Sequence, residues 1–149
     1  MVELDQDAAE ARIRASFARQ GAMATLGASL HGISPGVVEI ELPFDEKLTQ
    51  QHGFLHAGVI SAALDTACSY AAHTVIEPDA SLLTIEFKVN LMSPGRGERF
   101  LFRGEITKPG SNIIVADSRG YALTDGPAKL IASMTSTMMV IRGREGISG

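Results

Sequence analysis

The sequence predicts an α+β fold in which one antiparallel sheet wraps around a single buried helix. Positions 48–76 contain one formally charged residue, Asp65, where the 20% charged content of the whole chain would place about six. The segment that follows alternates between apolar and polar residues, which is the period of a strand. The later strand-like segments are joined by short links, and short links connect antiparallel neighbours. A sheet packed on one apolar helix is the compact arrangement of these elements.

The N-terminal segment at positions 5–20 mixes alanines and apolar residues with charged ones, which suits an amphipathic helix. Asp5 or Asp7 can cap its N terminus, and we expect Gly21 to end it. Two strand-like segments follow, at positions 23–30 and 36–42, and Pro43 closes the second.

The central helix is predicted at positions 57–73, which are rich in alanine, lack proline and place apolar residues on nearly every face. That composition is typical of a helix buried all round. Glu77-Pro78 then stops it. Cys68, the only cysteine, lies within this helix, and no basic neighbour is present to lower the pKa of its thiol. We therefore expect Cys68 to be a core residue and not a nucleophile.

The strand at positions 83–92 has the most regular alternation in the chain, and Ser93-Pro94-Gly95 turns the chain after it. No repeat, low-complexity segment or domain boundary interrupts the sequence. We therefore expect one domain over positions 1–149, with a glycine-rich tail at 142–149 that frays. Three further strands are predicted at positions 99–108, 112–123 and 128–141.

Charge and hydropathy exclude several classes of protein. The formal net charge is −4, with both signs scattered and no cluster of lysine or arginine that would follow a phosphate backbone, so a nucleic acid is not expected as a partner. No stretch approaches the roughly 20 consecutive apolar residues of a membrane span. The N terminus is acidic where a secretory signal would be basic and then apolar, and a lone cysteine forms no internal disulfide. A cytoplasmic location is therefore expected.

Asp65 is the residue that points most directly to a function. An ionised carboxylate in an apolar helix is costly unless it is paired, hydrogen-bonded or open to water, and residues that bear this cost are often functional. Two structural explanations remain open. Asp65 could lie on a locally exposed stripe, or it could be bonded to hydroxyls such as those of Ser61, Thr66 or Ser69.

The loop before the helix, at positions 50–56, supplies a second half of a site. The first N–H groups of a helix lack partners within it and carry the positive end of its dipole, so they can polarise a carbonyl oxygen. A carboxylate could then activate water or attack directly. Ala57 and Asp65 are eight positions apart, however, which is roughly 12 Å along a helix. Two antiparallel helices from two subunits could bring both groups to one carbon, so a homodimer with composite sites is expected.

The chain resembles a known enzyme family at this point. Positions 50–58 read QQHGFLHAG and positions 62–67 read AALDTA, which is similar to the signature of the PaaI-like, phenylacetate-pathway branch of the hotdog thioesterases. In that signature Asn or Gln stands six residues before a His, and Asp or Glu nine residues after it. Gln50, His56 and Asp65 occupy those places here.

The resemblance extends from about position 17 to position 140. It implies the hotdog fold and hydrolysis of an acyl-CoA or aryl-CoA thioester to the free acid and CoA, without a metal or other cofactor. It also implies a homodimer, with a tetramer built as a dimer of dimers as an alternative. A non-catalytic module that binds or senses acyl-CoA on the same fold is the second function kept open. A hotdog dehydratase is not favoured, because its motifs have a different spacing.

The resemblance also assigns roles to residues. Asp65 would be the nucleophile or the general base, and the Ala57 N–H would bind the thioester carbonyl oxygen. Gln50 would contact the same carbonyl or the leaving sulfur, while His56 would orient the loop or the substrate. Thr84 falls where some relatives have a Ser or Thr that positions the attacking water. Ala57 itself stands where the family has the first glycine of its motif.

The substrate-binding residues are predicted from chemistry as well as from the resemblance. Gly58 adjoins the helix start, and the loop Lys108-Pro109-Gly110-Ser111-Asn112 combines a cation with N–H donors that suit the phosphates of CoA. Ordinary solvated turn residues are the alternative for that loop. His52 and His56 are four apart, but Gly53 opposes a helix between them and no third ligand is near, so no metal site is expected.

Overall fold

A computed structural model describes residues 5–147 of the chain. The last two residues of the predicted tail, 148–149, lie outside this range. The helices are α1 (Gln6–Ala18), α2 (Gly21–Leu26) and α3 (Ala57–His73), with a single 3-10 turn at Glu46–Leu48. The strands are β1 (Ser29–Ser34), β2 (Val37–Pro43), β3 (Ser81–Leu91), β4 (Arg99–Lys108), β5 (Ile113–Leu123) and β6 (Lys129–Ile141).

The six strands form one sheet in the order β1-β2-β4-β5-β6-β3, and every neighbouring pair is antiparallel. The helix α3 packs on one face of this sheet and has the bounds that the sequence predicts. A Cβ on Gly104 of β4 would lie 2.3 Å from the carbonyl oxygen of Ala67, so glycine is what allows α3 to approach the sheet so closely. The predicted hotdog architecture, an antiparallel sheet around a central helix, is confirmed.

The segment after α1 differs from its prediction. Gly21 begins the helix α2 instead of only ending α1, and the strand expected at positions 23–30 is wrong as far as position 28. Alanine, methionine and leucine all favour a helix, and six residues are too few to distinguish the two periods from the sequence. Gly27 ends α2 in the left-handed conformation at φ 74°, and the strand begins only at Ser29.

The strand β3 contains a β-bulge, whereas its alternating sequence pattern predicts a regular strand. Thr84 lies opposite Met138 of β6, and Phe87 lies opposite Ser136. From the first pair to the second, β3 therefore advances by three residues and β6 by two. The extra residue falls at Ile85, where the register shifts. Paired residues share a face of a sheet, and Met138 and Ser136 are both fully buried. The bulge therefore puts both Thr84 and Phe87 on the face that α3 covers, which a regular strand could not do.

The helix α1 is fastened to the C-terminal end of α3 by Arg12. Its guanidinium donates hydrogen bonds to the carbonyl oxygens of His73 at 2.6 Å and Glu77 at 2.9 Å, and a longer one to that of Ile76. The last carbonyls of a helix have no partner within it and attract positive charge.

Within residues 5–147, the structure contains no helix with the length and apolar character that a membrane crossing requires.

Replacing Arg12 with alanine is therefore expected to lower the free energy of unfolding by about 1–3 kcal/mol, because it removes charge-assisted bonds to partly buried carbonyls. Urea denaturation measures this. Arg14→Ala is the matched control, since among the described residues Arg14 forms an exposed pair with Glu10 on α1 and nothing more, and its loss should change stability by less than about 0.5 kcal/mol. Equal losses in the two variants would contradict the role given to Arg12.

Candidate active site

The helix α3 has one side that the sheet leaves open. Gly58, Ala62, Asp65 and Ser69 follow one another at three- or four-residue intervals, and each is at least partly exposed, while most other residues of α3 are buried. We call these four residues the open stripe of α3. The expectation of a helix buried all round is therefore wrong along this stripe, and Asp65 lies at its middle.

Two hydroxyl groups bind the carboxylate of Asp65. Thr84 Oγ1 on β3 donates to Oδ1 at 2.9 Å, and Ser136 Oγ on β6 donates to the same oxygen at 3.3 Å. Ser69 Oγ lies 3.5 Å from Thr84 Oγ1 and extends this polar group along the stripe. The structure thus brings Thr84 to Asp65. The sequence did not single out Ser136, because a lone serine in an apolar strand carries no distinguishing pattern.

The hydroxyls considered from the sequence as structural partners of Asp65 bond elsewhere. Ser61 and Thr66 each donate to the helix carbonyl four residues earlier, those of Ala57 and Ala62. Side chains of this kind commonly bond to the preceding turn of their own helix. The carboxylate is therefore held by the sheet and not by its own helix.

Burial raises the pKa of the Asp65 carboxyl above its ordinary value, and the hydrogen bonds from Thr84 and Ser136 oppose that shift without cancelling it. Burial disfavours the charged form, whereas donors to the carboxylate favour it. The outcome is a carboxylate that is more basic than an exposed aspartate.

The N-terminal end of α3 presents an unused backbone donor. His56 caps the helix, with Nδ1 accepting the N–H of Gly58 at 2.8 Å. No acceptor within residues 5–147 takes the N–H of Ala57. This N–H is at the positive end of the helix dipole and is the kind of donor that stabilises a developing oxyanion. His56 acts here by fixing the helix start, and it takes up the N–H of Gly58.

Gln50 lies beside this donor. Its Oε1 accepts the N–H groups of His52 and Phe54, which folds the loop around the side chain, and Gly53 supplies the left-handed conformation that the turn requires at φ 80°. Gln50 and Ala57 border the same cavity of about 340 Å³. Its other walls are largely apolar and come from the loop, α3 and the end of β3: Phe54, Leu55, Ile60, Leu91, Met92, Ser93, Pro94 and Gly95.

Asp65 does not border that cavity. Because α3 is continuous from Ala57 to His73, eight residues of helix separate Asp65 from the Ala57 N–H, or roughly 12 Å. One chain therefore supplies both halves of a possible site without bringing them together.

The loop at positions 108–112 lies at the opposite end of α3 from Ala57, about 25 Å away along the helix. It borders a cavity of about 320 Å³ together with Glu77 and Arg142. Arg142 pairs with Glu77 and donates to the carbonyl oxygen of Ser111 at 2.6 Å. Gly110 is required by the turn, since a Cβ there would lie 2.2 Å from the carbonyl oxygen of Ile113. Arg142, which the sequence places in the tail, is thus tied to this loop.

The two histidines of the first loop do not form a pair of ligands on one helix, because Gly53 turns the chain between His52 and the capping His56. In the part of the chain that the structure describes, no three His, Cys, Asp or Glu side chains are placed to hold a metal ion together. Cys68 is fully buried, and burial raises the pKa of its thiol to about 12, which leaves it protonated and unreactive at neutral pH.

Comparison with known proteins decides the family. The family model described as the thioesterase superfamily matches residues 52–129, which include the first loop from His52 onward, α3 and the strands β3 to β5. The chain belongs to the thioesterase superfamily. This thioesterase is 52% identical to a thioesterase family protein from Silicibacter pomeroyi, whose crystal structure superposes with a TM-score of 0.89 over 91% of this chain and 99% of that one.

Two further proteins are similar to the thioesterase. The PaaI protein from the phenylacetic acid degradation operon of Escherichia coli has a TM-score of 0.81 at 15% identity over 93% of this chain and 96% of its own, which shows a shared fold. The medium/long-chain acyl-CoA thioesterase YigI of Escherichia coli is 33% identical over 99 residues, covering 58% of this chain and 62% of that protein. The resemblance to PaaI-like hotdog thioesterases is confirmed.

Proposed function

We propose that this thioesterase hydrolyses acyl-CoA or aryl-CoA thioesters to the free carboxylic acid and CoA. The observation that carries the proposal is that one helix presents two groups, a carboxylate of raised pKa on the open stripe and, at its start, an N–H without an acceptor among the described residues. These are the groups that acyl transfer to water needs. The acyl-CoA substrate of the relative YigI supports a CoA thioester as the substrate here.

A homodimer would complete the site. If the open stripes of two α3 helices face each other antiparallel across a two-fold axis, Ala57 of the partner subunit comes near Asp65, and a second equivalent site forms by symmetry. The strand β3 supplies a surface for such a partner, since it is one edge of the sheet and an unprotected edge invites pairing. Its large apolar side chains Leu83, Ile85, Phe87 and Leu91 are 43–54% exposed in the single chain.

The proposed reaction begins with the thioester carbonyl oxygen bound by the N–H of the partner subunit's Ala57, with the partner subunit's Gln50 as a second donor. Asp65 either removes a proton from water, whose oxygen then bonds to the carbonyl carbon, or attacks that carbon itself to form an anhydride that water hydrolyses. In both routes the C–S bond breaks and the thiolate of CoA takes up the proton. One water is consumed, and neither route uses a metal or a redox cofactor.

The remaining residues fit supporting roles in this proposal. Thr84 is bonded to the carboxylate, so it orients the base as well as any water beside it. His56 fixes the direction of the Ala57 N–H by capping the helix, and Gly58 keeps the surface next to that N–H free of a side chain. In an antiparallel dimer the C-terminal end of α3 lies toward the N-terminal end of the partner's α3. At that C-terminal end lies the loop with Lys108, Gly110, Ser111 and Asn112, where it can bind the phosphates of CoA.

The test is release of free thiol from a panel of short, medium-chain and aromatic acyl-CoAs. We expect stoichiometric CoA release, with the panel ranking the acyl groups. An inactive protein that binds several of these acyl-CoAs would favour the non-catalytic sensing module instead. The same assay at increasing protein concentration also reports the dimer, because composite sites lose specific activity when subunits dissociate.

A further inference from the structure

The two oxygens of the Asp65 carboxylate are not equivalent. Oδ1 accepts both hydrogen bonds, one from Thr84 and one from Ser136. Oδ2 accepts none from any residue between 5 and 147, and it is not among the buried polar atoms that lack a partner, so it opens to solvent. One oxygen is thus bonded to the sheet, and the other is left without a hydrogen bond among the described residues.

Two anchors on one oxygen also fix the plane of the carboxylate. A single donor would let the group turn about its last bond and exchange the two oxygens. Here the donors come from two adjacent strands, β3 and β6, so that turning the group breaks both bonds at once. The bulge in β3 is what allows Thr84 to meet the carboxylate from the same face as Ser136.

The hydroxyl of Ser136 is committed to Asp65. The residue is fully buried on β6, and in the described part of the chain its Oγ forms one side-chain hydrogen bond, to Asp65. A buried hydroxyl needs a partner, and the partner decides where the hydroxyl hydrogen points. The carboxylate therefore fixes the serine, and the serine in turn fixes the carboxylate.

We propose that Ser136 is a positioning residue which, together with Thr84, holds Oδ1 of Asp65 so that Oδ2 is the oxygen that reacts. The inference rests on the proposed thioesterase function. As a base, Oδ2 takes a proton from water while the electron pair of the broken O–H bond forms the new bond from the water oxygen to the carbonyl carbon. When the C–S bond breaks, that proton passes from Oδ2 to the thiolate, and the carboxylate is restored. As a nucleophile, Oδ2 forms the C–O bond itself while the C–S bond breaks and CoA leaves as the thiolate. Water then cleaves the anhydride to the free acid and the restored carboxylate, and the proton released goes to the thiolate.

The test compares Ser136→Ala with Ser118→Ala. Ser118 lies on the neighbouring strand β5, is as deeply buried, and forms no hydrogen bond to Asp65 among the described residues. In Ser136→Ala we expect kcat to fall about 3- to 30-fold, as for loss of one hydrogen bond to a charged group, with KM little changed. The acid limb of the pH profile should move to higher pH, because a donor to the ionised form has been lost. Ser118→Ala should show neither change.

A double variant tests the shared oxygen. Thr84→Val removes the other donor while keeping the shape of the side chain, and the effects of two groups on one oxygen should not add. An acid limb that stays in place in Ser136→Ala, or additive losses in the double variant, would overturn the positioning role.

Titration of the Asp65 carboxyl by carbon-13 NMR separates this inference from the proposed function, since it needs no turnover. If the wild type releases CoA but its Asp65 titration is unchanged by Ser136→Ala, only the positioning role fails. If the wild type releases no CoA from any thioester, the proposed function fails, and the assignment of Oδ2 as the reacting atom fails with it.

Discussion

Asp65→Asn is expected to reduce CoA release by about 10²- to 10⁴-fold while the protein becomes more stable at pH 7. The loss of activity follows because an amide neither takes a proton from water nor attacks a carbonyl, and a positioned base contributes an acceleration of this size. The fold should survive, since the amide oxygen can still accept the bonds from Thr84 and Ser136.

The gain in stability follows from the sign of the pKa shift. Burial raises the pKa of Asp65 in the folded protein above the ordinary value of 3.8. Between that ordinary value and the raised one, the folded state holds more protons than the unfolded state, so the free energy of unfolding falls as pH rises through this window. At pH 7 the ionised carboxylate is therefore a net cost to folding, and the uncharged amide removes it.

Melting temperatures of wild type and variant at pH 7, beside their thiol-release rates, check both expectations. Asp117→Asn is the matched control, because Asp117 is exposed on the outer face of the sheet and its hydrogen bonds within residues 5–147 go to Thr107 and Thr135. It should leave turnover unchanged. Near-full activity in Asp65→Asn would refute the proposed mechanism, and joint loss of activity and stability would indicate a structural carboxylate.

Ala57→Pro is the second large effect, with an expected loss of about 10²- to 10³-fold in kcat, as for removal of one oxyanion donor. Proline deletes the N–H and is well accommodated at the first position of a helix. The residue before it must be extended, and His56 already is, at φ −63° and ψ 137°. Ala57→Gly keeps the N–H and serves as the control, which should retain most of the activity. Full activity in Ala57→Pro would show that another group binds the carbonyl oxygen.

Mixing the two inactive variants tests whether the site is composite. In a dimer of one Asp65→Asn subunit and one Ala57→Pro subunit, one of the two sites receives an intact carboxylate and an intact N–H. Random pairing of equal amounts should therefore restore roughly a quarter of the wild-type activity. Mixtures that stay inactive, although the variants exchange subunits, would place both groups of the site within one chain.

The sequence predicts the central helix and the later strands closely, because each has a long and clear period: α3 and β4 have the expected bounds. It also predicts a functional role for Asp65, since this is the single formally charged residue in an apolar helix. The sequence does not predict the short helix α2, because its six residues favour a helix only through their propensity. The predicted strand therefore begins at position 23, six residues before the observed strand.

The parts that the sequence did not predict depend on pairing between distant segments. Nothing local distinguishes Ser136 from other serines until β6 is paired with β3 and packed under α3. Arg142 was assigned to a tail because its partners, Glu77 and the carbonyl of Ser111, are far away in the sequence. The exposure of the open stripe on α3 is not predictable from the sequence either, since alanine and glycine occur on both buried and exposed surfaces.

The bulge at Ile85 imposes a parity rule on this strand. After the bulge, the residues that face α3 lie an odd number of positions beyond Thr84, at Phe87, Val89 and Leu91. Before the bulge the ordinary even step holds, since Leu82 lies two positions before Thr84 on the same face. Removing one residue at the bulge would therefore restore a regular strand in which Thr84 and the apolar row still share the face toward α3. The bulge is thus the one place in the described part of β3 where a change of length by a single residue leaves both sets in position, whereas a single-residue deletion between Phe87 and Leu91 would turn the residues beyond it to the outer face.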